Sequence, residues 1–220
     1  MRLLICTQAV DRRDPVLGFF HRWIEVIAPR FESVEVICLK EGEHQLPPNV
    51  HVHSLGKERG RVSKLRYSVR FISLAWRLRH EYDAVLVHMN EEYALLAGLL
   101  WRLSNKRVVL WRNHRMGGIG TRASCKLAHT VCYTSPQAFV AHYRHAVQMP
   151  VGIDTGLFTP AAAPAPQDTI LFLGRLDAVK KPEVFLDAVE ELERKGVPAQ
   201  VHVYGDPTPG REAYAQQLKE

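Results

Sequence analysis

The sequence predicts an α/β protein in which parallel strands are covered by helices on both faces. Short β-branched runs alternate with stretches of helical periodicity, which is the pattern of βαβ units. Several runs are almost entirely apolar, as in AVLV at 84–87 and ILFL at 170–173, and this is typical of strands buried on both sides. Hydrophobic residues make up 46% of the 220 residues, which suits a packed core and excludes wholesale disorder.

Eight short runs are predicted as strands because each is rich in β-branched residues and ends at a turn or a polar residue. The first is short and runs directly into charged residues, so it is not interpreted as a signal peptide. In chain order the predicted strands are Arg2–Cys6, Val34–Leu39, Val50–Ser54, Ala84–His88, Arg107–Trp111, Thr130–Thr134, Thr169–Leu173 and Gln200–Tyr204.

Seven stretches are predicted as helices because their apolar residues recur every three or four positions. The clearest opens with Pro182 at its first position and is stopped by Gly196. In chain order the predicted helices are Pro15–Arg30, Val62–Glu81, Glu91–Ser104, Thr121–Leu127, Pro136–Arg144, Pro182–Lys195 and Arg211–Lys219.

The segment TPAAAPAPQD at 159–168 divides the chain, because its three prolines and four alanines are typical of a linker. We therefore expect a Rossmann-like domain over 1–158 and a second domain over 169–220. The second stretch has room only for strand, helix, strand and the start of another helix. Because burial is marginal below about 60 residues, we expect this second domain to be cut short.

Positive charge is concentrated between Lys57 and Arg79, where eight basic residues stand against one acid. This segment carries +7 and the whole chain +6, so the remainder is close to neutral. A local excess of this kind predicts an anionic partner: a phospholipid surface, a nucleic acid or a phosphorylated substrate. Nucleic acid is the least favoured, because no recognition motif or aromatic stacking platform is present.

The predicted helix 62–81 inside this segment is apolar on more than one side at 100° per residue. One apolar stripe consists of Leu65, Val69, Ile72 and Trp76, and much of the remainder is covered by Phe71, Leu74 and Leu78. A narrow basic seam is formed by Arg66, Arg70 and Arg77. Two interpretations stay open: a core helix whose arginines reach water, and a helix lying on an anionic membrane surface.

Several kinds of site and location are disfavoured. His142 and His145 are three residues apart but have no second ligand pair nearby, so a metal site is not expected. The longest apolar runs fall far short of the roughly 20 residues that a membrane helix needs. No C-x-x-C pair occurs, and reduced, buried thiols of a cytosolic protein are predicted for Cys6, Cys38, Cys125 and Cys132.

The segment 169–195 predicts a diphosphate-binding turn at the end of a strand. The strand runs to Gly174, where the missing side chain lets a ligand approach the backbone. Arg175 can form a bidentate hydrogen bond to a phosphate, and Lys180 adds a point charge. The next helix offers unpaired backbone amides at its N-terminus. On spacing alone, an ordinary turn with a surface arginine and lysine is the slightly simpler interpretation.

Two ordered motifs make the chain resemble glycosyltransferase family 4, the retaining "group 1" enzymes of GT-B fold. Gly-Arg-Leu at 174–176, three residues and then Lys180 are similar to its donor-phosphate motif. PVGIDTGLFTP at 150–160 is similar to its Pro-Asn-Gly-Ile-Asp…Phe-x-Pro hinge, with Val151 in place of the usual Asn. Gly205 resembles the next strand-end glycine of the same domain. The resemblance implies a GT-B-like fold, with a complete N-terminal Rossmann-like domain and the beginning of a second.

The resemblance also implies a reaction. It is retaining transfer of a sugar from a nucleotide-diphosphate sugar to a lipid-linked or saccharide acceptor, in cell-envelope polysaccharide or glycolipid synthesis. No metal is needed in the family, and the donor is a co-substrate rather than a bound cofactor. The expected location is the cytoplasm, peripheral at the inner face of the cell membrane, with Arg66, Arg70 and Arg77 on the lipid.

The resemblance assigns roles to residues in both halves. Gly174, Arg175 and Lys180 would bind the donor phosphates, and Gly18 would let the loop after the first strand approach them. His114 matches the family position near the reacting centre and is the candidate catalytic residue. Two further polar residues that end a strand are candidates for the acceptor side, His88 and Asn90. The glycines of MGGIG at 116–120 predict a mobile loop over the site.

One family feature is missing, which leaves other functions open. Family members carry two glutamates separated by seven residues deeper in the second domain. The pairs with that spacing here, Glu183 with Glu191 and Glu212 with Glu220, lack its glycine and aromatic surroundings. The chain is therefore expected to end before the donor-sugar half of the site. The rival functions are another GT-B enzyme, such as a sugar epimerase or phosphorylase, and an inactive fragment that binds lipid or a partner chain.

Overall fold

A computed structural model of the chain describes residues 1–60, 62–150, 152–163, 166, 168–207, 210 and 212–218. The chain divides into two compact units, unit 1 over Met1–Gly152 and unit 2 over Ile153–Glu220. The predicted linker, 159–168, belongs to unit 2. Residues 164, 165 and 167 of that linker, together with Arg61, Val151 and Glu220, lie outside the described residues.

Unit 1 alternates strands with helices, as the sequence predicts. Its strands are β1 (Leu3–Val10), β2 (Val34–Glu41), β3 (Val50–Ser54), β4 (Ala84–His88), β5 (Arg107–Trp111), β6 (Thr130–Tyr133) and β7 (Ala146–Gln148). Its helices are α1 (Gly18–Ile27), α2 (Lys64–Arg77), α3 (Glu92–Leu103) and α4 (Ile119–Leu127). Short 3₁₀ turns lie at Ala28–Arg30, Lys57–Arg59 and Phe139–His142.

The seven strands form one parallel sheet in the order β3-β2-β1-β4-β5-β6-β7. Phe20 and Ile24 of α1 pack on one face, while α2, α3 and α4 cover the other with residues such as Phe71, Trp101 and Cys125. The predicted α/β class is confirmed. The strand order reverses between β1 and β4, so their following loops diverge and leave a crevice where open α/β sheets bind ligands.

Two element predictions in unit 1 were wrong. The segment 136–144 was expected to be helical, but it contains only the 3₁₀ turn at 139–142, and the missed strand β7 follows. β7 pairs with β6 through Val131 and Ala146, and this pairing outweighs the weak helical preference of a segment shorter than three turns. The first helix is also shorter than predicted at both ends: it begins only at Gly18, after a turn closed by the carboxylate of Asp14, and it gives way to a 3₁₀ turn at Pro29.

Unit 2 is built on two parallel strands, β8 (Thr169–Leu173) and β9 (Gln200–Tyr204), joined through α5 (Pro182–Arg194) and followed by α6 (Glu212–Gln217). The ring of Phe172 on β8 lies 5.4 Å from that of Phe185 on α5, so α5 covers one face of the sheet. Leu171, Leu173 and Tyr204 are exposed. A cavity of about 560 Å³ is lined by residues of β8, β9, α5 and α6, and of the described apolar side chains of unit 2 only Pro182 and Ala215 are buried, so the core of unit 2 is much thinner than that of unit 1.

Candidate functional site

The carboxyl ends of β4 and β5 bring three of the predicted site residues to one edge of the sheet in unit 1. His88 pairs in register with Trp111, so the loop that begins at Met89 runs beside the loop that begins at Arg112. Asn90 and His114 lie on these two loops. Because both loops follow parallel strands next to the β1–β4 crevice, this edge is the candidate acceptor-side site of unit 1.

The histidine that ends β4 belongs to the core rather than to the surface. His88 is only 2% exposed. Its ring stacks on that of Phe20 with 3.7 Å between centroids, and its Nδ1 lies 3.3 Å from the hydroxyl oxygen of Thr7 on β1. Burial lowers the pKa of His88 to about 4, so the ring is neutral at pH 7. The side chain thus packs β4 against α1 and β1 from beneath the site.

The backbone just after His88 adopts an unusual conformation. Met89 has a φ of 64°, which lies in the left-handed region. Residues other than glycine, asparagine and aspartate rarely adopt this conformation. The amide of Asn90 then donates to the carbonyl oxygen of His88 at 2.7 Å. Such strain persists where the surroundings fix it, and it is frequent at binding sites. The turn leaves Asn90 half-buried at the rim of the crevice.

His114 is exposed, and its ring is held by the backbone two residues further on. The amide of Met116 donates to Nδ1 of His114 at 3.0 Å, and the carbonyl oxygen of Met116 lies 3.1 Å from the same nitrogen. The ring is therefore fixed through Nδ1, which leaves Nε2 as the nitrogen available to a substrate.

The loop that carries His114 is anchored by two residues that the sequence analysis did not single out, Arg112 and Glu91. Arg112 is 8% exposed, and its Nε donates to a carboxylate oxygen of Glu91. Its two terminal nitrogens donate to the carbonyl oxygens of His114 and Met116 at 3.2 and 2.9 Å. The signal in the sequence was limited to the position of each residue shortly after a predicted strand, because the pairing of these two strands is visible only in the structure.

The predicted mobile loop at 116–120 is short and well anchored in the structure. A Cβ on Gly117 would lie 2.4 Å from the ring of Phe139, so this glycine allows close packing. The amide of Gly118 donates to the hydroxyl of Thr121 at 3.1 Å, and α4 already begins at Ile119. Gly117 therefore brings the segment before α4 close to Phe139, whereas a side chain at Gly120 would make only ordinary contacts.

Gly18 is the first residue of α1, and close packing explains why it is a glycine. A Cβ there would lie 3.0 Å from the carbonyl oxygen of Arg12. The carboxylate of Asp14 accepts from the amides of Val16 and Leu17 at 3.0 and 2.9 Å. The amides just ahead of α1 are thus already bound by a carboxylate, which is the kind of anion that a helix start attracts.

In unit 2, the structure brings the predicted phosphate-binding residues together on one turn, residues 174–180, which we call the phosphate turn. Lys180 passes beside Gly174, because its Cδ lies 3.9 Å from where a Cβ on that glycine would be. The Nε of Arg175 lies 3.7 Å from a carboxylate oxygen of buried Asp177. Arg175 and Lys180 are exposed, so two positive charges stand at the carboxyl end of β8 and are accessible to an anion.

The second glycine of unit 2 that the sequence analysis noted, Gly205, is required by the phosphate turn. A Cβ on Gly205 would lie 1.7 Å from the carbonyl oxygen of Gly174, and its φ is 155°. The amide of Gly174 donates to the carbonyl oxygen of Tyr204 at 3.0 Å, and that of Leu176 donates to Asp206 at 3.1 Å. Parallel pairing therefore continues past both strand ends and fixes the backbone of the phosphate turn.

The helix that follows the phosphate turn begins in a strained way. Lys181 has a φ of 50° and, among the described residues, makes no side-chain hydrogen bond to the first turn of α5. Pro182 occupies the first helical position, where its missing amide hydrogen costs nothing. Strained backbone therefore occurs beside both candidate sites, at Met89 and at Lys181.

The basic helix α2 packs on the sheet through a different stripe from the one with the most regular spacing. Phe71 and Ala75 are buried, whereas the apolar stripe is exposed: Leu65 is 74%, Val69 58%, Ile72 41% and Trp76 52% exposed. Since about 100° separates that stripe from the arginines, apolar and basic side chains share the outer surface. We call the exposed apolar stripe (Leu65, Val69, Ile72 and Trp76), together with Arg66 and Arg77, the outer face of α2.

The three arginines of α2 differ in their surroundings. A terminal nitrogen of Arg70 donates to the carbonyl oxygen of Leu55 at 2.8 Å, so this arginine ties α2 to the loop after β3. Arg66 and Arg77 are exposed. The guanidinium of Arg79 lies 4.4 Å from the ring centre of Trp76, a cation–π contact at the edge of the apolar stripe. Leu99 and Leu103 of the neighbouring α3 are also exposed.

Metal binding and membrane crossing can be considered for the described residues only. Within those ranges, no group of three or more histidine, cysteine, aspartate or glutamate side chains is placed to hold a metal ion. The helices found there are too short or too polar to cross a membrane. All four cysteines are buried and free, as predicted.

Comparison with known proteins identifies the fold. No family model and no curated protein matches the chain. The chain is similar over 99% of its length to a crystal structure of MurG from Acinetobacter baumannii, with a TM-score of 0.53 and 15% identity. It is similar over 100% of its length to UDP-GlcNAc 2-epimerase from Methanocaldococcus jannaschii, with a TM-score of 0.54 and 11% identity. It spans 62% of the MurG chain and 69% of the epimerase chain. The fold is GT-B-like.

Proposed function

We propose that this protein transfers a sugar, with retention, from a nucleotide-diphosphate sugar to a lipid-linked acceptor at an anionic membrane surface. The pathway we envisage is cell-envelope polysaccharide or glycolipid synthesis. The observation that carries the proposal is the phosphate turn, because two exposed cations and a side-chain-free strand end suit a diphosphate. The fold adds support, since one of the similar structures is named for a nucleotide-diphosphate sugar, UDP-GlcNAc.

On the donor side, the residues of the phosphate turn bind the diphosphate and stabilise it as it leaves. The planar guanidinium of Arg175 can donate two parallel hydrogen bonds to phosphate oxygens, and Lys180 contributes a point charge. Negative charge grows on the diphosphate as its bond to the sugar breaks, so fixed cations lower the barrier. Gly174 leaves room for the phosphates to approach the backbone. No metal is needed in this scheme.

On the acceptor side, His114 orients a sugar hydroxyl through Nε2, because Nδ1 is taken up by the backbone of Met116. Asn90, at the rim of the crevice, adds a hydrogen-bonding amide. His88 supports the turn from the core and does not touch substrate. Gly18 keeps the loop after β1 close to the start of α1, which shapes the crevice on its other side.

The outer face of α2 holds unit 1 on the membrane. Lipid head groups attract the arginines, while Trp76 and its apolar neighbours enter the boundary between head groups and acyl chains. The exposed leucines of α3 extend this apolar surface. An enzyme whose acceptor is lipid-linked needs such an attachment, whereas an epimerase acting on a free nucleotide sugar does not. The expected location is peripheral, at the cytoplasmic face of the membrane.

The donor half of the proposal is tested by equilibrium binding of UDP, GDP and inorganic pyrophosphate. Arg175→Gln and Lys180→Gln should each weaken binding about 10- to 100-fold, the value of a charge-assisted hydrogen bond. The matched control is Lys195→Gln, at the C-terminal end of α5, the helix that follows the phosphate turn. This variant should bind UDP, GDP and pyrophosphate as the unaltered protein does. If the unaltered protein binds neither nucleotide nor pyrophosphate, the proposed donor class is wrong.

The membrane half is tested by co-sedimentation with vesicles of phosphatidylglycerol and phosphatidylcholine. Changing Arg66, Arg70 and Arg77 together to Glu should abolish binding, since each cation near the surface is worth about 1 kcal/mol. Trp76→Ser probes the apolar contribution separately and leaves the contact of Arg70 with Leu55 intact. Arg107→Glu, remote from α2 in sequence, serves as the control. Unchanged sedimentation of the triple variant would remove the membrane from the proposal.

Two other functions keep a specific observation in their favour. The likeness to an epimerase makes epimerisation of the donor sugar the second candidate. Formation of an epimerised nucleotide sugar, with no acceptor product, would indicate this reaction. A lipid- or partner-binding role without catalysis is favoured by the thin core of unit 2. Vesicle binding with no detectable binding of nucleotide would indicate that role.

A further inference from the structure

Arg112 is buried and forms an ion pair with half-buried Glu91, and the proposed chemistry does not use this pair directly. Arg112 lies just after β5, and Glu91 just before α3, 21 residues earlier. Glu91 is further bound on its other carboxylate oxygen, which accepts from the hydroxyl of Thr121 at 2.8 Å. Its carbonyl oxygen accepts from Ser124 at 3.0 Å. The pair is thus connected to α3 and α4, and removal of one partner would leave a buried charge.

The guanidinium of Arg112 divides its hydrogen bonds between this anchor and the loop that carries His114. One edge meets Glu91, while the two terminal nitrogens reach the carbonyl oxygens of His114 and Met116 at 3.2 and 2.9 Å. A lysine cannot reproduce this arrangement, because it lacks the planar fork of donors. Arg112 therefore determines where the backbone of residues 114–116 lies relative to the core.

The same arrangement selects one tautomer of the neutral His114 imidazole. Nδ1 faces both the amide and the carbonyl oxygen of Met116, at 3.0 and 3.1 Å. The carbonyl oxygen already accepts from Arg112, whereas Nδ1 offers the amide an acceptor. The arrangement that gives both Met116 groups a partner has Nδ1 accepting and the hydrogen on Nε2.

We propose that the Arg112–Glu91 pair is the positioning device for His114: it fixes the 114–116 backbone so that the ring accepts at Nδ1 and presents the hydrogen of Nε2 to the substrate. This inference rests on the role proposed above for His114. Arg112 and Glu91 touch no substrate in this scheme and act only through the loop.

The test is ¹⁵N NMR of the histidine side chains in the full chain, at a pH where the imidazoles are neutral. The His114 signals are assigned by their loss in His114→Gln. In the unaltered protein, Nδ1 should resonate as an acceptor nitrogen and Nε2 as a protonated one. Arg112→Lys should lose this single-tautomer signature and show averaged shifts. Arg107→Gln, at the opposite end of β5, is the matched control and should keep it.

A second variant protects the test against unfolding. Glu91→Gln combined with Arg112→Gln removes both charges and leaves no unpaired ion in the core. If this folded double variant keeps the Nε2–H signature, the pair does not position His114 and the proposal is overturned. Loss of the signature supports it.

Activity gives a separate result, because the tautomer measurement needs no substrate. If the unaltered protein transfers sugar, Arg112→Lys should lower kcat while leaving the affinity for UDP unchanged, since the phosphate turn is intact. An equal loss of UDP affinity and kcat would contradict a role through His114. If no transfer is detected but the tautomer is lost in the variants, the positioning inference holds and the proposed function fails.

Discussion

Units 1 and 2 both carry candidate functional residues on the turn that follows a parallel strand, but they hold these turns by different means. In unit 1 the turn after β5 is held by side chains, through Arg112 and its hydrogen bonds to Glu91 and two carbonyl groups. In unit 2 the phosphate turn is held mainly by backbone, through pairing with the turn that contains Gly205, and the carboxylate of Asp177 adds one bond by accepting from the amide of Val179 at 3.1 Å. The first arrangement depends on particular polar groups and the second on the absence of a side chain.

This difference follows from how much core each unit has. Unit 1 has a sheet covered on both faces, so it can bury an arginine and a histidine and satisfy them with neighbours. Unit 2 has two strands and a thin core, and among its described residues Asp177 is the one polar or charged side chain that is buried. Strand pairing that continues past Leu173 and Tyr204 uses only backbone amide and carbonyl groups, so the pairing itself does not require a charged side chain to be buried. The two units should therefore respond to different substitutions.

The largest effect is expected in unit 2, for Gly205→Ala. The new Cβ would lie 1.7 Å from the carbonyl oxygen of Gly174, at a φ of 155°, so the two turns would have to separate. We expect a loss of more than about 3 kcal/mol in local stability, together with loss of UDP binding. Hydrogen exchange of β8 and β9 amides measures the first effect, and equilibrium binding the second.

Gly196→Ala is the control for backbone conformation alone. Its φ is 68°, but apart from its chain neighbours no described residue has an atom within 4 Å of the position of its Cβ. We expect a cost of about 1 kcal/mol and unchanged UDP binding. If Gly205→Ala is no worse than Gly196→Ala, close approach of the two turns does not hold the phosphate turn.

The next effect belongs to unit 1 and depends on pH. The pKa of His88 is about 4 in the folded protein and near 6.5 in an unfolded chain. The unfolded chain therefore binds more protons between these values, so the contribution of His88 to stability is full above pH 6.5 and is lost as pH falls toward 4. About 2 to 3 kcal/mol should disappear over that range. Chemical denaturation at several pH values measures it.

His88→Gln isolates this contribution, because other groups titrate in the same range. The variant should be less stable than the unaltered protein at pH 7.5, and the two should converge as pH falls from 6.5 to 4. Amides of β1 and β4 report on unit 1 alone by hydrogen exchange. Parallel curves for the two proteins across that range would contradict a neutral, buried ring.

The α/β fold could be predicted because its signals are local, and so could the turn at 174–180 that follows a strand, whereas diphosphate binding by that turn stays a prediction. Apolar runs of strand length that alternate with helical periodicity depend on neighbouring residues only, and so does the spacing of Gly174, Arg175 and Lys180. The missed strand β7 is different. It is three residues long, and it exists because the edge of β6 is available, which no local pattern encodes.

The outer face of α2 and the Arg112–Glu91 pair could not be predicted for a related reason. Two sides of α2 are apolar, and which one packs on the sheet depends on the neighbours of Phe71 and Ala75 in space. Arg112 and Glu91 meet because β4 and β5 are adjacent, so the topology had to be known first. Side-chain contacts across strands were thus the part of the site beyond sequence reasoning.

The smallest expected effect is on stability, and it concerns one residue with a left-handed backbone conformation in each unit. Lys181, before α5, has a φ of 50°, and Asn105, after α3, has a φ of 54°. Asparagine tolerates this conformation through its short polar side chain, whereas lysine does not. Lys181→Gly should therefore stabilise unit 2 by up to about 1 kcal/mol, and Asn105→Gly should change unit 1 by less. Hydrogen exchange of α5 and α3 measures the two effects separately. A gain at Asn105 equal to that at Lys181 would mean that glycine relieves both positions alike, and that Lys181 carries no special strain at the start of α5.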